Sequence, residues 1–377
     1  MMKKILHISK YYYPYVGGVE VTAQYLAEGL DKYENRVLCF NTKYHDHCDM
    51  INGVQVNRAG SFMQVARQSI SFTYYSFLKK LIKEYKPDFI HLHCPNPFVY
   101  PLLLLLLPGS VKLVLHWHLD IINQKRIYPF IRWVEKLLLE RADRILVTSP
   151  NYKESSRPLY PYLDKVRVLQ SAIATQQLDL QPNDSIMIES IKRKYNNRRL
   201  IFFVGRHIEY KGLKYLIESE LFIQNDCCII IAGAGPLTEE LKSKASEKRI
   251  YFIGHISKEL LRCYLHVADI FAFPSITKNE AFGLALVEAM YCECVPVTFY
   301  IEGSGVNWVS LNQVTGIEVP VVSAKMYAEA IDTLLSNNLM RIQYGKAARK
   351  RVIEMFTVEK EIYLASEIYK ELESLRS

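Results

Sequence analysis

Two carboxylates and two cations in the second half of the chain are residue types that bind hydroxyls and phosphates. Glu280 and Glu288 lie eight positions apart, one in a loop and one about two turns into the apolar helical segment that follows. An acid on an otherwise buried helix is costly unless it is hydrogen-bonded, and ligand hydroxyls are suitable donors. Earlier in the chain, Arg206 and Lys211 stand between glycines directly after an apolar run. Cations placed in this way suit a pyrophosphate. An ordinary charged surface loop would have the same sequence pattern.

Two loops bring glycine to the start of a helical segment, where an anion can bind. Gly17 and Gly18 follow the first strand candidate, and adjacent glycines let the backbone approach a phosphate at a helix N-terminus. A turn that needs positive φ would use the same two glycines. Later in the chain, the backbone amides of Phe282, Gly283 and Leu284 begin a helical segment and can also receive an anion.

Histidines spaced two apart raise the question of a metal site. The pairs are His45 and His47, His91 and His93, and His116 and His118. Residues two apart on a strand share a face, so a pair can supply two ligands. A third set of ligands is not evident, and transition-metal sites usually need three or four. We therefore predict no metal site and favour one functional histidine, His118, at the end of a strand.

The elements that must position these residues alternate between short apolar runs and segments of helical period, which predicts parallel sheets of β-α units. We expect an α/β protein with two doubly wound, Rossmann-like domains, at residues 1–177 and 178–355. A helical tail, 356–377, is expected to cross back onto the first domain. The polar stretch 171–186 is predicted to be a linker, and residues 69–85 a helix.

Composition excludes several classes of protein. The 377 residues are 50% hydrophobic and 23% charged, which excludes a disordered chain, a collagen and a disulfide scaffold. Lys and Arg total 47 against 39 Asp and Glu, a net charge of +8. Residues 1–177 contain 23 basic and 14 acidic residues, whereas residues 178–377 contain 24 and 25, so the whole excess lies in the first half. Such an excess suits an anionic partner.

The cysteines and the apolar runs predict a cytoplasmic protein. None of the eight cysteines forms a C-x-x-C pair, and several lie in apolar runs, as reduced core residues do. The apolar run after Lys3 and Lys4 is too short for a signal peptide. The longest apolar run, 98–107, is interrupted by Pro101 and is well below the roughly 20 residues that span a bilayer.

Six motifs along the chain form a recognisable set. They are Gly17-Gly18, His118, Gly205-Arg206 with Lys211-Gly212, Gly233-Ala234-Gly235-Pro236, Glu280 with Glu288, and Gly303-Ser304-Gly305-Val306-Asn307-Trp308 leading to Thr315-Gly316. Together they resemble the retaining, nucleotide-sugar-dependent glycosyltransferases of the GT-B fold, in the large "group 1" family. The sequence around Glu280 and after Gly303 is most similar to that of bacterial transferases that build O-antigen or capsule chains, mannosyltransferases among them.

The resemblance implies a role for each matched residue. Arg206 and Lys211 would bind the donor diphosphate, and Glu288 the ribose hydroxyls. Glu280 would hold hydroxyls of the donor sugar, and His118 would lie on the other side of that sugar, close to the reacting carbon; both are the implied catalytic residues. The other implied contacts are Gly17, Gly18, Phe282, Gly283 and Leu284 at the diphosphate, and His255 and Ile256 near the nucleobase.

The resemblance also implies the reaction. The donor would be a nucleotide diphosphate sugar used as co-substrate, with GDP-mannose favoured and the UDP-sugars of glucose, N-acetylglucosamine and galactose open. Transfer would proceed with retention, without metal or cofactor, to a lipid-linked oligosaccharide of a bacterial surface polysaccharide. The chain departs from the family at Tyr300-Ile301-Glu302, where relatives often have a shorter polar connection. This departure leaves the selectivity for base and sugar open.

Three other functions share some of these features. A phosphorylase would need a lysine for pyridoxal phosphate and a much longer chain, and sugar-nucleotide epimerases generally lack the arrangement of Glu280 and Glu288. Nucleic-acid binding would use the basic first half, but the sequence carries no helix-turn-helix, zinc-finger or RNP-type signature. We therefore expect no nucleic-acid partner.

The basic excess is concentrated in two segments that mix cations with large apolar residues, 69–86 and 123–144. Basic amphipathic helices of this kind can lie on anionic lipid. Solvated helices that pack on a sheet would have the same composition. We predict peripheral association with the inner face of the cytoplasmic membrane, through the N-terminal domain.

Overall fold

A computed structural model of the chain describes residues 2–65, 68–121, 128–246 and 248–374. The chain divides into two compact units. Unit 1 comprises Met1–Ser171 and Glu359–Ser377, and unit 2 comprises Ala172–Val358. The chain thus passes between the units twice, after residues 171 and 358, whereas the boundaries predicted from sequence follow residues 177 and 355.

Unit 1 contains an eight-stranded sheet and a separate two-stranded sheet. Its strands are β1 Lys4–Ile8, β2 Glu34–Phe40, β3 His47–Ile51, β4 Val54–Ala59, β5 Met63–Val65, β6 Gln68–Ile70, β7 Phe89–Cys94, β8 Lys112–Trp117, β9 Arg144–Val147 and β10 Val166–Val168. The large sheet has the order β10-β9-β8-β7-β1-β2-β4-β3, and β5 pairs with β6. Neighbours in the large sheet are parallel except for β3, which pairs antiparallel with β4. Strand β7 is buried along its whole length, which is typical of parallel sheets covered on both faces.

The described residues of unit 1 form six α-helices. They are α1 Gly18–Gly29, α2 Tyr74–Lys80, α3 Val99–Leu106, α4 Tyr128–Arg141 and α5 Pro150–Ser155, with the chain's last helix, Val358–Ser374, as the sixth. The prediction of one helix over 69–85 is wrong at its start, because Ser69 and Ile70 pair in β6 with β5. Helix α2 begins only at Tyr74 and continues as a π-helical turn, Leu81–Tyr85.

Unit 2 is a six-stranded parallel sheet with helices between its strands. The strands are β11 Arg199–Val204, β12 Cys227–Ala232, β13 Ile250–Gly254, β14 Ile270–Phe273, β15 Val295–Phe299 and β16 Ile317–Val319. The helices are α6 Asp184–Lys194, α7 Leu213–Ser219, α8 Thr238–Lys244, α9 Lys258–Val267, α10 Leu284–Tyr291, α11 Val306–Val309, α12 Ala324–Ser336 and α13 Asn338–Met355. Numbered within the unit, the strand order β13-β12-β11-β14-β15-β16 is 3-2-1-4-5-6, that of dinucleotide-binding folds. Both sheets confirm the predicted fold class.

The last helix, α14 Val358–Ser374, completes the core of unit 1. Its apolar face contributes Ala365, Ile368, Tyr369 and Leu372 to a buried cluster with residues of β1, α1, β7, β8 and β9. Arg144 donates to Glu371 of this helix at 2.7 Å, as does Arg167. In the part of the chain that the structure describes, no helix combines the length and the apolar character needed to cross a bilayer.

The prediction of a linker over 171–186 is wrong. Ile173 and Leu178 are buried in the core of unit 2 on either side of a short 3-10 turn, Thr175–Gln177. Asp184 then opens α6 and forms a two-point ion pair with Arg262, at 2.6 and 2.9 Å. These hydrogen bonds lower the pKa of Asp184 to about 2. The polar composition of the segment therefore reflects buried polar contacts rather than a free connection.

Candidate functional site

The strand order of unit 2 defines where a ligand would bind. In a doubly wound sheet the ligand crevice lies beyond the carboxyl ends of the strands, where the strand order reverses. In unit 2 this point lies between β11 and β14, which are adjacent and parallel. The loop after β11 carries Arg206 and Lys211, and the loop after β14 carries Glu280. The fold thus brings these predicted residues, about 70 positions apart in the chain, to one edge of the sheet.

Lys211 and Glu280 form an ion pair at this edge. The ammonium nitrogen Nζ of Lys211 donates to Oε2 of Glu280, and the hydroxyl of Ser275 donates to the same oxygen at 3.0 Å. The two charged side chains are only 14% and 10% exposed. Lys211 also lies 5.2 Å from the ring centre of Phe273. The pair places one cation for an anionic group beside one acceptor for hydroxyls.

Glycines hold three loops of this edge together through backbone contacts. Gly212 has a φ of +63°, and a Cβ there would lie 2.0 Å from the carbonyl oxygen of Pro274. Gly233 has a φ of +104°, and a Cβ there would lie 2.0 Å from the carbonyl oxygen of Gly205. Such approaches exclude any side chain, so the glycines serve the packing of the loops after β11, β12 and β14 against one another.

Glu288 lies on α10, directly beyond this edge. Its side chain is half-buried, and burial raises its pKa to about 7, with Lys258 opposing the rise. Among the residues described, none donates a hydrogen bond to this carboxylate. Helix α10 begins after Gly283, whose φ is +91° and which has no side chain to cap the first amides. The start of α10, with Leu284 as its first residue, therefore keeps its amides available to an anion.

The other predicted residues of unit 2 differ in exposure. Arg206 is exposed, and so is His255 after β13. Ile256 is half-buried and packs against the apolar core, as does the buried ring of Phe282. The side chain of Phe282 thus contributes packing, which leaves only its backbone for a ligand. None of these positions by itself assigns a ligand contact.

Sequence reasoning overlooked two residues that shape this edge. His207 is fully buried, and its Nδ1 lies 2.9 Å from the hydroxyl of Thr238. The hydroxyl of Ser304 donates to the backbone carbonyl of Glu280, and so links the loop after β15 to the loop that carries Glu280. A signal existed for each, since His207 follows Arg206 and Ser304 lies inside the glycine motif at 303–305.

In unit 1 the strand order reverses between β1 and β7, and Gly17 and Gly18 follow β1. Gly17 is the N-cap of α1 in an extended conformation, with a φ of −156°. Neither glycine has positive φ, so a left-handed turn does not account for them. A Cβ on Gly17 would meet only the flexible end of Glu20, at 2.3 Å. Their contact with a ligand stays a prediction from the sequence.

His118 follows β8 and is 5% exposed. Its Nε2 lies 3.0 Å from Nδ1 of His93 at the end of β7, and its backbone amide donates to the carbonyl of Cys94 at 3.1 Å. Burial lowers the pKa of His118 to about 3, so the imidazole is neutral at physiological pH. His118 is therefore held as an uncharged hydrogen-bonding group.

A second pair of imidazoles lies against the first. Nε2 of His91 is 3.2 Å from Nδ1 of His116. In the described part of the chain, His91, His93 and His116 are the one group whose ligand atoms, within 4.8 Å of one another, could share a metal ion. The rings of His91 and His93 stack 4.7 Å apart at 19°. Lone pairs in the planes of nearly parallel rings run side by side, so these two do not point at a common ion.

Two family models match the chain. The model "Glycosyl transferases group 1" matches residues 186–351, within unit 2, and the model "Glycosyltransferase Family 4" matches residues 16–177. The fold and the family matches together define a glycosyltransferase of the GT-B fold. The chain belongs to the group 1 glycosyltransferases.

Relatives and solved structures agree with this assignment. The chain is 29% identical to the D-rhamnosyltransferase WbpZ of Pseudomonas aeruginosa over 94% of its own length and 92% of that protein. It is 27% identical to the O-antigen chain mannosyltransferase C of Escherichia coli, over 94% and 95%. In structure it is similar to a sucrose-phosphate synthase from Thermosynechococcus elongatus, with a TM-score of 0.81, 20% identity, and coverage of 99% and 100%. Anabaena HepE in complex with UDP-glucose has a TM-score of 0.76 at 16% identity, covering 98% and 99%.

Proposed function

We propose that the protein transfers a hexosyl group from a nucleotide diphosphate sugar, GDP-mannose in preference, to a lipid-linked oligosaccharide. The acceptor would be an intermediate of bacterial O-antigen, lipopolysaccharide or capsule synthesis. The names of the two bacterial relatives, a D-rhamnosyltransferase and an O-antigen mannosyltransferase, support this choice. A UDP-sugar is the second candidate donor, supported by the UDP-glucose complex of a structural neighbour.

The observation that carries the proposal is the Lys211–Glu280 pair at the β11/β14 edge, with Glu288 on the next helix. Lys211 and the exposed Arg206 supply charge for the diphosphate. Glu280 accepts hydrogen bonds from hydroxyls of the sugar, and Glu288 accepts them from hydroxyls of the ribose. A carboxylate with a raised pKa and no described hydrogen-bond donor, as at Glu288, is stabilised when ligand hydroxyls donate to it.

The proposed chemistry needs no metal ion or cofactor. The bond between the anomeric carbon and the diphosphate oxygen breaks, and the new bond to the acceptor hydroxyl forms on the same face, which retains the configuration. The departing phosphate oxygen takes the proton of that hydroxyl. Cations and helix amides fixed in advance stabilise the charge that develops on the diphosphate, which is where preorganised electrostatics lowers a barrier most. Neutral His118 offers a hydrogen bond near the donor sugar.

Association with the cytoplasmic leaflet is the second part of the proposal. Lys79, Lys80 and Lys83 are exposed along α2 and its π-helical turn, and Phe72, just before α2, is 81% exposed. On α4, Trp133 is 61% exposed beside exposed Arg132.

Not all the predicted basic residues support this surface. Lys125 and Arg126 lie outside the described residues. Arg141 pairs with Asp143 at 3.2 Å, and Arg144 pairs with Glu371 at 2.7 Å. The proposed lipid-binding surface therefore consists of the exposed residues Phe72, Lys79, Lys80, Lys83, Arg132 and Trp133.

A thermal-shift panel of GDP-, UDP- and ADP-sugars tests the donor. A ligand that binds the folded state raises its melting temperature by mass action, and we expect the largest rise with GDP-mannose. Glu288→Ala should abolish that rise. A larger rise with a UDP-sugar would identify a UDP-sugar as the donor in place of GDP-mannose. Equal, negligible shifts with all three bases would contradict the assignment of the donor site.

Co-sedimentation with vesicles tests the membrane part. Binding to vesicles with anionic lipid should exceed binding to neutral vesicles and weaken with salt. The triple variant Lys79→Gln/Lys80→Gln/Lys83→Gln should lose most of it. A matched triple change of exposed lysines in unit 2, at Lys192, Lys194 and Lys248, should retain it. Equal recovery with both kinds of vesicle would contradict membrane association.

A further inference from the structure

Four buried histidines form two hydrogen-bonded pairs that stack on each other. His93 and His118 form one pair, and their ring planes are nearly parallel, at 11° with centres 5.3 Å apart. His91 and His116 form the other, at 48°. Within each strand the rings stack, His116 on His118 at 4.1 Å and His91 on His93 at 4.7 Å. Only His118 of the four lies at the end of the arrangement, beyond the last residue of β8.

The environment of His93 determines where its proton lies. A neutral imidazole has one N–H and one bare nitrogen. Nε2 of His93 is buried and has no hydrogen-bond partner among the described residues, whereas its Nδ1 faces Nε2 of His118. A buried N–H without an acceptor is among the rarest groups in folded proteins, and a bare acceptor is tolerated better. The proton of His93 therefore lies on Nδ1, which donates to His118.

The proton of His118 follows from that of His93. Because Nε2 of His118 accepts from His93, the N–H of neutral His118 must lie on Nδ1. Among the described residues, none is hydrogen-bonded to that Nδ1. His118 thus has a single N–H, on the ring nitrogen that its neighbours leave available to a ligand.

We propose that His93 is a positioning residue that holds His118 in the Nδ1–H tautomer, so that His118 donates a hydrogen bond to an oxygen of the bound ligand. The assignment of that ligand as the donor sugar rests on the proposed function, but the tautomer does not. His118 acts on this account as a neutral donor throughout turnover. It accepts no proton from the acceptor hydroxyl, which agrees with transfer of that proton to the departing phosphate.

Nitrogen NMR of the full chain, labelled with 15N-histidine, tests the tautomer without any substrate. Protonated and bare ring nitrogens have well-separated shifts, and His118→Asn identifies the signals of His118. We expect His118 to be protonated at Nδ1 and bare at Nε2 at pH 7. Replacement of His93 by Leu should allow both tautomers to be populated. Protonation of His118 at Nε2 in the unaltered protein would overturn the proposal.

Three variants test the consequence for activity. His93→Leu removes the donor and should lower kcat about 10- to 100-fold, with little change in donor KM. His93→Asn keeps an amide donor near the position of Nδ1 and should restore most of kcat. The matched control is His116→Leu, because His116 has the same burial and stacks on His118 without a hydrogen bond to it; it should change kcat less than threefold.

The outcomes separate the two proposals. Equal losses in His93→Leu, His93→Asn and His116→Leu would assign His93 a packing role only and overturn the positioning role. If no nucleotide sugar supports turnover in the unaltered protein, the proposed function fails, and the NMR result alone decides the tautomer.

Discussion

In both units the strand order reverses between two central strands, but the residues near the carboxyl ends of the neighbouring strands differ in chemistry. In unit 2, strands β11 and β14 end in the ion pair of Lys211 and Glu280. In unit 1, strands β7 and β8 carry neutral, stacked imidazoles up to His118. A buried ion pair marks the first edge and neutral imidazoles mark the second, although unit 1 contains the half of the sequence with the basic excess.

Under the proposed function, this difference matches the two tasks of sugar transfer. A diphosphate must be neutralised as it departs, so cations belong at the edge that binds it. A sugar hydroxyl is uncharged, and a neutral donor orients it without adding a charge that the reaction does not need. The exposed basic residues of unit 1 include Lys79 and Lys80 of α2.

The largest effect is expected from a variant that removes the ion pair at the edge of unit 2. Lys211→Ala should lower kcat/KM by about 10³-fold, since removal of one preorganised group at developing charge typically costs 10²- to 10³-fold and Glu280 also loses its partner. Steady-state kinetics with the donor found by the thermal-shift panel measures it. Lys214→Ala, an exposed lysine three residues later, is the matched control and should be near wild type. Near-wild-type turnover of Lys211→Ala would refute the donor-site assignment.

The second prediction concerns the pH dependence of stability that a buried neutral histidine gives unit 1. Burial lowers the pKa of His7 to about 4, from about 6.5 in an unfolded chain. The unfolded state therefore binds the proton first, and stability present above pH 6.5 is lost as the pH falls towards 4. His7→Gln keeps an amide near the position of Nε2, which is 3.2 Å from Asn35 Oδ1, and removes the titration.

Urea unfolding at several pH values provides the measurement. Between pH 7 and 4, the wild type should lose about 3 kcal/mol more of its free energy of unfolding than His7→Gln does. Parallel pH curves for the two proteins would show that His7 is not held neutral by burial.

The third prediction concerns Glu288. Glu288→Gln should raise donor KM about 10- to 100-fold with a small effect on kcat, because a hydrogen bond to a charged group is worth about 1.5–3 kcal/mol. In the wild type, KM should rise as the pH falls below 7, since the carboxylate with a pKa of about 7 becomes protonated. A pH-independent KM ratio between the two proteins would contradict this role.

Without ligand, the same residue gives unit 2 a pH dependence of the opposite sign to that of His7. A pKa raised from 4.5 to about 7 means that the folded state binds the proton more tightly. The stability that Glu288 contributes is fully present below pH 4.5 and is lost as the pH rises through 7. Unfolding curves of Glu288→Gln should lack this loss.

The smallest expected effect is that of Arg206→Ala. Arg206 is exposed, so its attraction for a diphosphate is screened by water and salt. Donor KM should rise about tenfold at low ionic strength and less at 0.5 M salt. A loss as large as that of Lys211→Ala, and insensitive to salt, would mean that Arg206 is buried by the bound donor.

Much of the fold could be predicted from the sequence because the strands of parallel sheets appear as apolar runs. The apolar runs Cys227–Ala232 and Ile270–Phe273, for example, are strands β12 and β14. The failures came where polar residues are buried by specific partners. Asp184 looked like part of a polar linker because its partner, Arg262, is 78 positions away.

The site was readable as residue types but not as contacts. The sequence suggested both Lys211 and Glu280, yet it assigned them to different parts of the donor, and only the adjacency of β11 and β14 makes them partners. The three His-x-His pairs raised the question of a metal site, which the sequence analysis answered in the negative, but only the parallel register of β7 and β8 shows that His93 lies beside His116. Predicted roles for His255, Ile256 and the glycines at 17 and 18 stay predictions.

The place of α14 in unit 1 has a consequence for how the protein is made. The segment that completes the core around Tyr369 is synthesised after the whole of unit 2. Domains generally fold as units during synthesis, so unit 2 can finish on the ribosome while unit 1 still exposes its unfilled groove. A nascent chain stalled before residue 359 should then hold a protease-resistant unit 2 and a unit 1 that chaperones still recognise.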